Sequence, residues 1–296
     1  MQRSKYTCFA GLQNSIDNST LTEIRAAGFS NSRDRLLKQQ LNKLGSEQGS
    51  NLGVSESGDW SHQGRIPEGT RIYAIGDIHG RLDLLDEVLA RIDADVSKQP
   101  ALNAIRVFLG DYIDRGPDSR RVLDRLVDYR MAQPSVFLMG NHEVFLREFL
   151  KNPDTLSIWG RCGGLDTLSS YGLVPKIETD VRQQRELASG LDKILPSSHR
   201  QFLDGLRQYF ICGDFFFVHA GVRPGICLTA QSEEDLLWIR EDFLWCQDDF
   251  GKVVVHGHTP VSQPDVRRNR INIDTGAYAT GILTCLVLEN DKIRFV

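Results

Sequence analysis

The chain has 296 residues, of which 41% are hydrophobic and 25% charged, with a formal net charge of −4. That length accommodates one large domain with a sizeable core, and the near balance of charge argues against a surface dedicated to nucleic acid or an anionic membrane. Six cysteines (Cys8, Cys162, Cys212, Cys227, Cys246 and Cys285) are scattered without a CxxC pair, the usage of free thiols in a reducing compartment. No secretory-type apolar run lies near residue 1, and no apolar stretch reaches the roughly 18 residues of a membrane span, so a cytoplasmic protein is expected.

Residues 1–65 are rich in Ser, Asn, Gln and Gly. They read as a flexible N-terminal extension in which only Leu36, Leu37, Leu41 and Leu44 keep helical spacing. From Ile66 to residue 296, short apolar runs alternate with amphipathic stretches, the pattern of an α/β domain. Arg71 to Ile75 is a strand, followed by a helix whose inward face is Leu82, Leu85, Val88, Leu89 and Ile92. Arg106 to Leu109 is the next strand, and Val122, Leu123, Leu126 and Val127 mark the helix after it. Ser135 to Met139 follows, with a helix from about Glu143, completing βαβαβ. A mainly helical insertion is expected at about 150–210. Strands then return at Phe215 to Val218, Lys252 to Val255, Arg270 to Ile273, Leu283 to Leu288 and Lys292 to Phe295.

The polar residues concentrate where these strands end. The early strands run into Gly76-Asp77-Ile78-His79-Gly80, Gly110-Asp111-Tyr112-Ile113-Asp114-Arg115-Gly116 and Gly140-Asn141-His142-Glu143. Two later ones run into His219-Ala220-Gly221 and His256-Gly257-His258-Thr259. Each cluster taken singly reads as a surface turn or a satisfied rim histidine. Five together, all at the carboxyl ends of strands, are costly to bury unless they coordinate ions or substrate.

From about Arg71 to the C-terminus this ordered series resembles the metal-dependent serine/threonine phosphoprotein phosphatases, specifically their compact bacterial and phage branch. The resemblance implies an α/β metallophosphoesterase fold, a central β-sandwich flanked by helices with a dimetal site on the loops at one edge. It implies Asp77 and His79 as ligands of one ion, Asp111 as the bridging carboxylate, and Asn141, His219 and His258 as ligands of the other. Oxygen and imidazole donors without thiolate suit two divalent ions, Mn first, with Fe or Zn as alternatives. His256 competes with His258 for the last place and is kept as a neighbour of the ligand set. The same resemblance makes His142 the general acid with Asp114 orienting it, and Arg115, Arg240 and Asn141 the groups that bind substrate phosphate.

The implied reaction is hydrolysis of phosphate monoesters by in-line attack of a metal-bridging hydroxide. The expected substrate is a phosphoprotein or phosphopeptide carrying phosphoserine or phosphothreonine. Two alternatives stay open: diadenosine tetraphosphate hydrolysis, and a non-catalytic phospho-binding module. In Trp159-Gly160-Arg161-Cys162-Gly163-Gly164, Cys162 stands where bacterial members commonly carry Asn, and it reads as a packing residue because no base adjoins it.

Overall fold

The computed structural model describes residues 64–176 and 180–296; the proposed extension at 1–65 lies almost wholly outside them. Two five-stranded sheets face each other. The first has the order β10-β9-β1-β2-β3 and the second β4-β5-β6-β8-β7. Each sheet contains three parallel strands, central in the second sheet and running to one edge in the first. In the first these are β1 (Thr70–Ile75), β2 (Asn103–Phe108) and β3 (Ser135–Phe137). In the second they are β5 (Phe215–Val218), β6 (Val253–His256) and β8 (Arg270–Asn272). The antiparallel pair β9 (Cys285–Glu289) and β10 (Lys292–Phe295) closes one edge of the first sheet.

Alternation along the strands builds three apolar layers. Ile72, Ala74, Val107 and Leu109 from the first sheet meet Phe215, Phe217, Val253, Val255 and Ile271 from the second in the middle of the sandwich. Tyr73, Ile75, Phe108 and Phe137 point the other way, onto helices α1 (Leu82–Lys98) and α2 (Ser119–Ala132). Phe216, Val218 and Val254 are covered by Leu236 of α8 (Glu233–Trp238) and Phe243 of α9 (Glu241–Leu244). The β5 run Phe-Phe-Phe-Val is apolar throughout because both its faces are covered.

The inward face expected for α1 is the buried one, residue for residue. On α2, Val122, Leu123 and Leu126 are buried and Val127 is partly so. Between α3 (Asn141–Lys151) and β4 (Tyr209–Cys212) the described residues form no strand. They hold α4 (Leu156–Trp159), α5 (Gly164–Ser170), α6 (Val181–Ile194) and α7 (Ser197–Asp204), packed on the outer face of the first sheet.

The start of α3 and two edge strands depart from expectation. Helix α3 starts at Asn141, two residues before Glu143, because the Glu143 carboxylate folds back to accept the Gly140 N–H at 3.0 Å. Asn141 and His142 therefore sit on a rigid first turn. Strands β4 and β7 (Asp265–Val266) were not expected: β4 is only partly buried at an edge, and β7 is two residues long.

Phe217 lies in the middle of the sandwich with no exposed surface. Phe217→Ala should lower unfolding free energy by about 3–5 kcal/mol, read from urea denaturation; a cost below about 1 kcal/mol is inconsistent with this packing.

Candidate active site

All the parallel strands point their carboxyl ends to one side, and every clustered polar residue falls there. Two glycines show how tightly that end is packed. A Cβ on Gly140 would lie 2.2 Å from Asp111 Oδ1, and one on Gly257 would lie 2.1 Å from Asp77 Oδ1. Only a residue without a side chain lets these turns pass so close to the carboxylates.

The six residues expected to bind metal are all buried. His79, Asp111 and His142 form one group with mutually close ligand atoms, and Asp111, His219 and His258 form a second that shares Asp111. Their protonation follows from their neighbours. His79 donates Nδ1–H to the Ile113 carbonyl at 2.9 Å, which leaves a lone pair on Nε2, 3.5 Å from Asp111 Oδ2. His219 donates Nδ1–H to the Leu109 carbonyl at 3.0 Å. Its Nε2 lone pair faces Asp111 Oδ1 at 3.4 Å and Asn141 Oδ1 at 2.9 Å. The same Asn141 oxygen lies 2.9 Å from His258 Nδ1.

Burial pushes His79, His219 and His258 below the usual histidine range, and His79 and His219, each with its one N–H on a backbone carbonyl, have none to give Asp111. Asp77 Oδ2 accepts the His258 backbone N–H at 2.9 Å, while Asp77 Oδ1 is buried with no partner. Burial raises the Asp77 carboxyl well above its usual range, and the nearby carboxylates of Asp274 and Asp111 raise it further.

Lone pair facing lone pair on both oxygens of one carboxylate is repulsive unless cations lie between them. The donor set therefore fits two divalent ions on either side of Asp111. Asp77, His79 and Asp111 could hold one, and Asp111, Asn141, His219 and His258 the other.

His142 stands beside this cluster. Its Nδ1 donates to Asp114 Oδ2 at 2.6 Å, and its Nε2 lies 3.2 Å from Arg115 Nη2. The Arg115 guanidinium rests over the Tyr278 ring, 4.5 Å from its centroid. Arg240 donates to Thr259 Oγ1 at 3.1 Å. Burial lowers its pKa, and the positive charge of Arg115 lowers it further.

His256 is not among the converging groups. It faces the outer layer, its ring centroid 4.9 Å from that of Phe243, with Nδ1 donating to the Gly257 carbonyl at 3.1 Å. Cys162 is buried and offers its backbone carbonyl to Arg115 Nε at 3.4 Å.

Several contributors escaped the sequence reading. Asp274 ends β8 as part of Ile273-Asp274-Thr275-Gly276, and burial pushes it up to about 6. A sixth strand-end cluster was there to be read. Glu143 was quoted but given no part. Its carboxylate accepts the backbone N–H groups of Asp111 and Tyr112 at 3.0 and 2.8 Å as well as that of Gly140. Trp159, Thr167 and Ser119 hold Asp114, and only the fold brings them there.

Fold and donor set together define a metal-dependent phosphoesterase. The sequence pattern of the calcineurin-like phosphoesterases matches residues 70–282, and the chain belongs to that family. It is 28% identical over 234 residues, 72% of this chain and 88% of the relative, to the asymmetrical bis(5'-nucleosyl)-tetraphosphatase PrpE of Anoxybacillus flavithermus. It is 30% identical over 224 residues, with the same coverage, to the protein of that name from Bacillus mycoides. Among solved structures it is similar to that of a protein proposed to be a diadenosine tetraphosphatase. The TM-score is 0.51 at 20% identity, covering 79% of this chain and 94% of the other, a likeness of fold. No helix among the described residues is long and apolar enough to cross a membrane.

Asp111→Asn should strip both ions, because each half of the donor set uses one of its oxygens, whereas His258→Ala should cost one. Elemental analysis after dialysis reads the difference, and retention of two ions by Asp111→Asn contradicts the shared-carboxylate arrangement.

Proposed function

We propose that this phosphoesterase hydrolyses bis(5'-nucleosyl) polyphosphates, with dinucleoside tetraphosphates as its substrate class. The observation that carries the reading is the extent of the likeness: relatives bearing that activity in their names align with 72% of this chain and 88% of their own length. Arg115 and Arg240 support it, since their like charges act on each other and an anionic phosphate chain would relieve that repulsion.

In this proposal Asp77, His79 and Asp111 hold one ion and Asp111, Asn141, His219 and His258 the other, with Mn the leading candidate and Fe or Zn behind it. Bound ions supply Lewis acidity toward phosphoryl oxygens and an activated water. Arg115, Arg240 and Asn141 grip and orient the phosphate. His142 passes a proton from Nε2 to the departing oxygen, and Asp114 keeps Nδ1 protonated so that Nε2 faces substrate. Asp274 and Glu143 hold turns in place: Asp274 Oδ1 accepts the Gly276 N–H at 2.9 Å, and Glu143 fixes the backbone on which Asp111 stands.

One observation favours a second reading, hydrolysis of protein phosphoserine or phosphothreonine. The His142–Asp114 pair, closed at 2.6 Å, contributes most where the leaving group is an alkoxide that departs poorly without a proton. A nucleotide phosphate leaves more readily. The completeness of the donor set weighs against a non-catalytic phospho-binding module.

The two readings separate in one assay. kcat/KM for diadenosine tetraphosphate and for phosphoserine and phosphothreonine peptides is measured with Mn²⁺, Mg²⁺ and Zn²⁺. The dinucleotide should be preferred by about tenfold or more; the reverse order transfers the proposal to phosphoproteins. Arg240→Ala should lower kcat/KM on the preferred substrate by about 10- to 100-fold, the worth of a charge-assisted hydrogen bond. An unchanged value removes Arg240 from the phosphate site.

A further inference from the structure

The Asp114 carboxylate has no exposed surface, and its backbone φ is +74°. Both of its oxygens are occupied. Oδ2 accepts His142 Nδ1–H at 2.6 Å and the Trp159 indole Nε1–H at 2.7 Å. Oδ1 accepts the Thr167 hydroxyl at 2.5 Å. Its own N–H is taken by Thr167 Oγ1 and Ser119 Oγ at 3.0 and 2.9 Å. The next residue is tied to the same stretch, Arg115 N–H donating to the Gly163 carbonyl at 3.3 Å and Nε to that of Cys162 at 3.4 Å. A span of nine positions, 159–167, thus grips two consecutive residues 45 and more positions away in the chain.

The Trp159 ring is fully buried against Phe149, their centroids 5.1 Å apart, so the indole has one place to put its N–H. Without that donor, Oδ2 keeps only the histidine and the carboxylate plane is free to turn about its Thr167 anchor. The histidine turns with it.

We infer that the Trp159 indole N–H, seconded by the Thr167 hydroxyl, is a positioning device for the proton donor: it locks the Asp114 carboxylate in the plane that aims His142 Nε2 at the departing oxygen. Trp159 touches no reacting atom. It acts through Asp114 and His142, and the inference rests on the proposed role of His142 as acid. Outer partners of an oriented histidine of this kind typically carry about 10- to 100-fold in activity.

The dependence of rate on leaving group exposes this role. A phenolate stabilised by a nitro group departs with little help, whereas an unsubstituted phenolate needs the proton. The full chain loaded with Mn²⁺ is therefore assayed on a series of substituted phenyl phosphates, in the native form and as Trp159→Phe, which keeps an aromatic ring against Phe149 but loses the N–H. In Trp159→Phe the ratio of kcat/KM for 4-nitrophenyl phosphate to that for phenyl phosphate should rise by about tenfold, with metal content unchanged. A uniform loss across the series, or no loss, overturns the inference. Should Trp159→Phe fail to fold, Thr167→Val removes the other donor at nearly constant volume, and the same rise is expected of it. His142→Asn separates the two levels of the proposal. If it steepens the series and the Trp159 and Thr167 variants do not, only the positioning role falls; if it leaves the series unchanged, the acid role of His142 falls first and takes this one with it.

Discussion

The structure turns on an electrostatic frustration at one carboxylate. Asp111 presents each of its oxygens to a histidine nitrogen that has already spent its proton on a backbone carbonyl, His79 on Ile113 and His219 on Leu109. The His142 backbone N–H reaches Oδ1 at 3.1 Å, but neither histidine has a proton left to give the carboxylate. Cations can relieve the contact.

How the fold aims these groups is visible in the backbone. Six non-glycine residues among those described take positive φ: His79, Asp111, Asp114, Arg115, His258 and Asn290. The first five carry the site. Such conformations cost on the order of 1–3 kcal/mol each and persist only where the surroundings over-determine them. Here the surroundings are apolar strands buried on both faces and a helix begun early by Glu143, neither of which yields easily. Strain is thus concentrated where side chains must be aimed, and the sandwich core supplies the stability that tolerates it.

Much of this was legible in the sequence. The apolar runs of β1, β2, β5 and β6 are unmistakable because both faces are covered, and the glycine-flanked Asp, Asn and His clusters follow directly from the way parallel strands end. What could not be read has physical causes. Strand β4 contains Ile211, exposed at 36%, so burial gives it no clear period. Trp159 and Thr167 act on Asp114 across 45 and 53 positions, and no local pattern announces a contact made by tertiary packing. Asp274 differs: its Asp-Thr-Gly after a buried strand carried the same sign as the other clusters and lacked only a neighbouring histidine. His256 and His258 show the reverse, since the strand stops at His256 and the left-handed turn at His258 sends the two rings into different layers.

The site straddles the seam of the sandwich. Asp77, His79, Asp111 and Asn141 hang from strands of the first sheet, while His219 and His258 hang from the second. Between the sheets lies mainly non-directional apolar contact, crossed at the rim by the His219–Leu109 and His258–Asp77 hydrogen bonds, and apolar contact tolerates sliding of one layer over the other. Coordination does not. An ion held by Asp111, Asn141, His219 and His258 would be gripped from both layers and would act as a rivet at the rim, fixing the register of the halves to within the tolerance of a coordination bond.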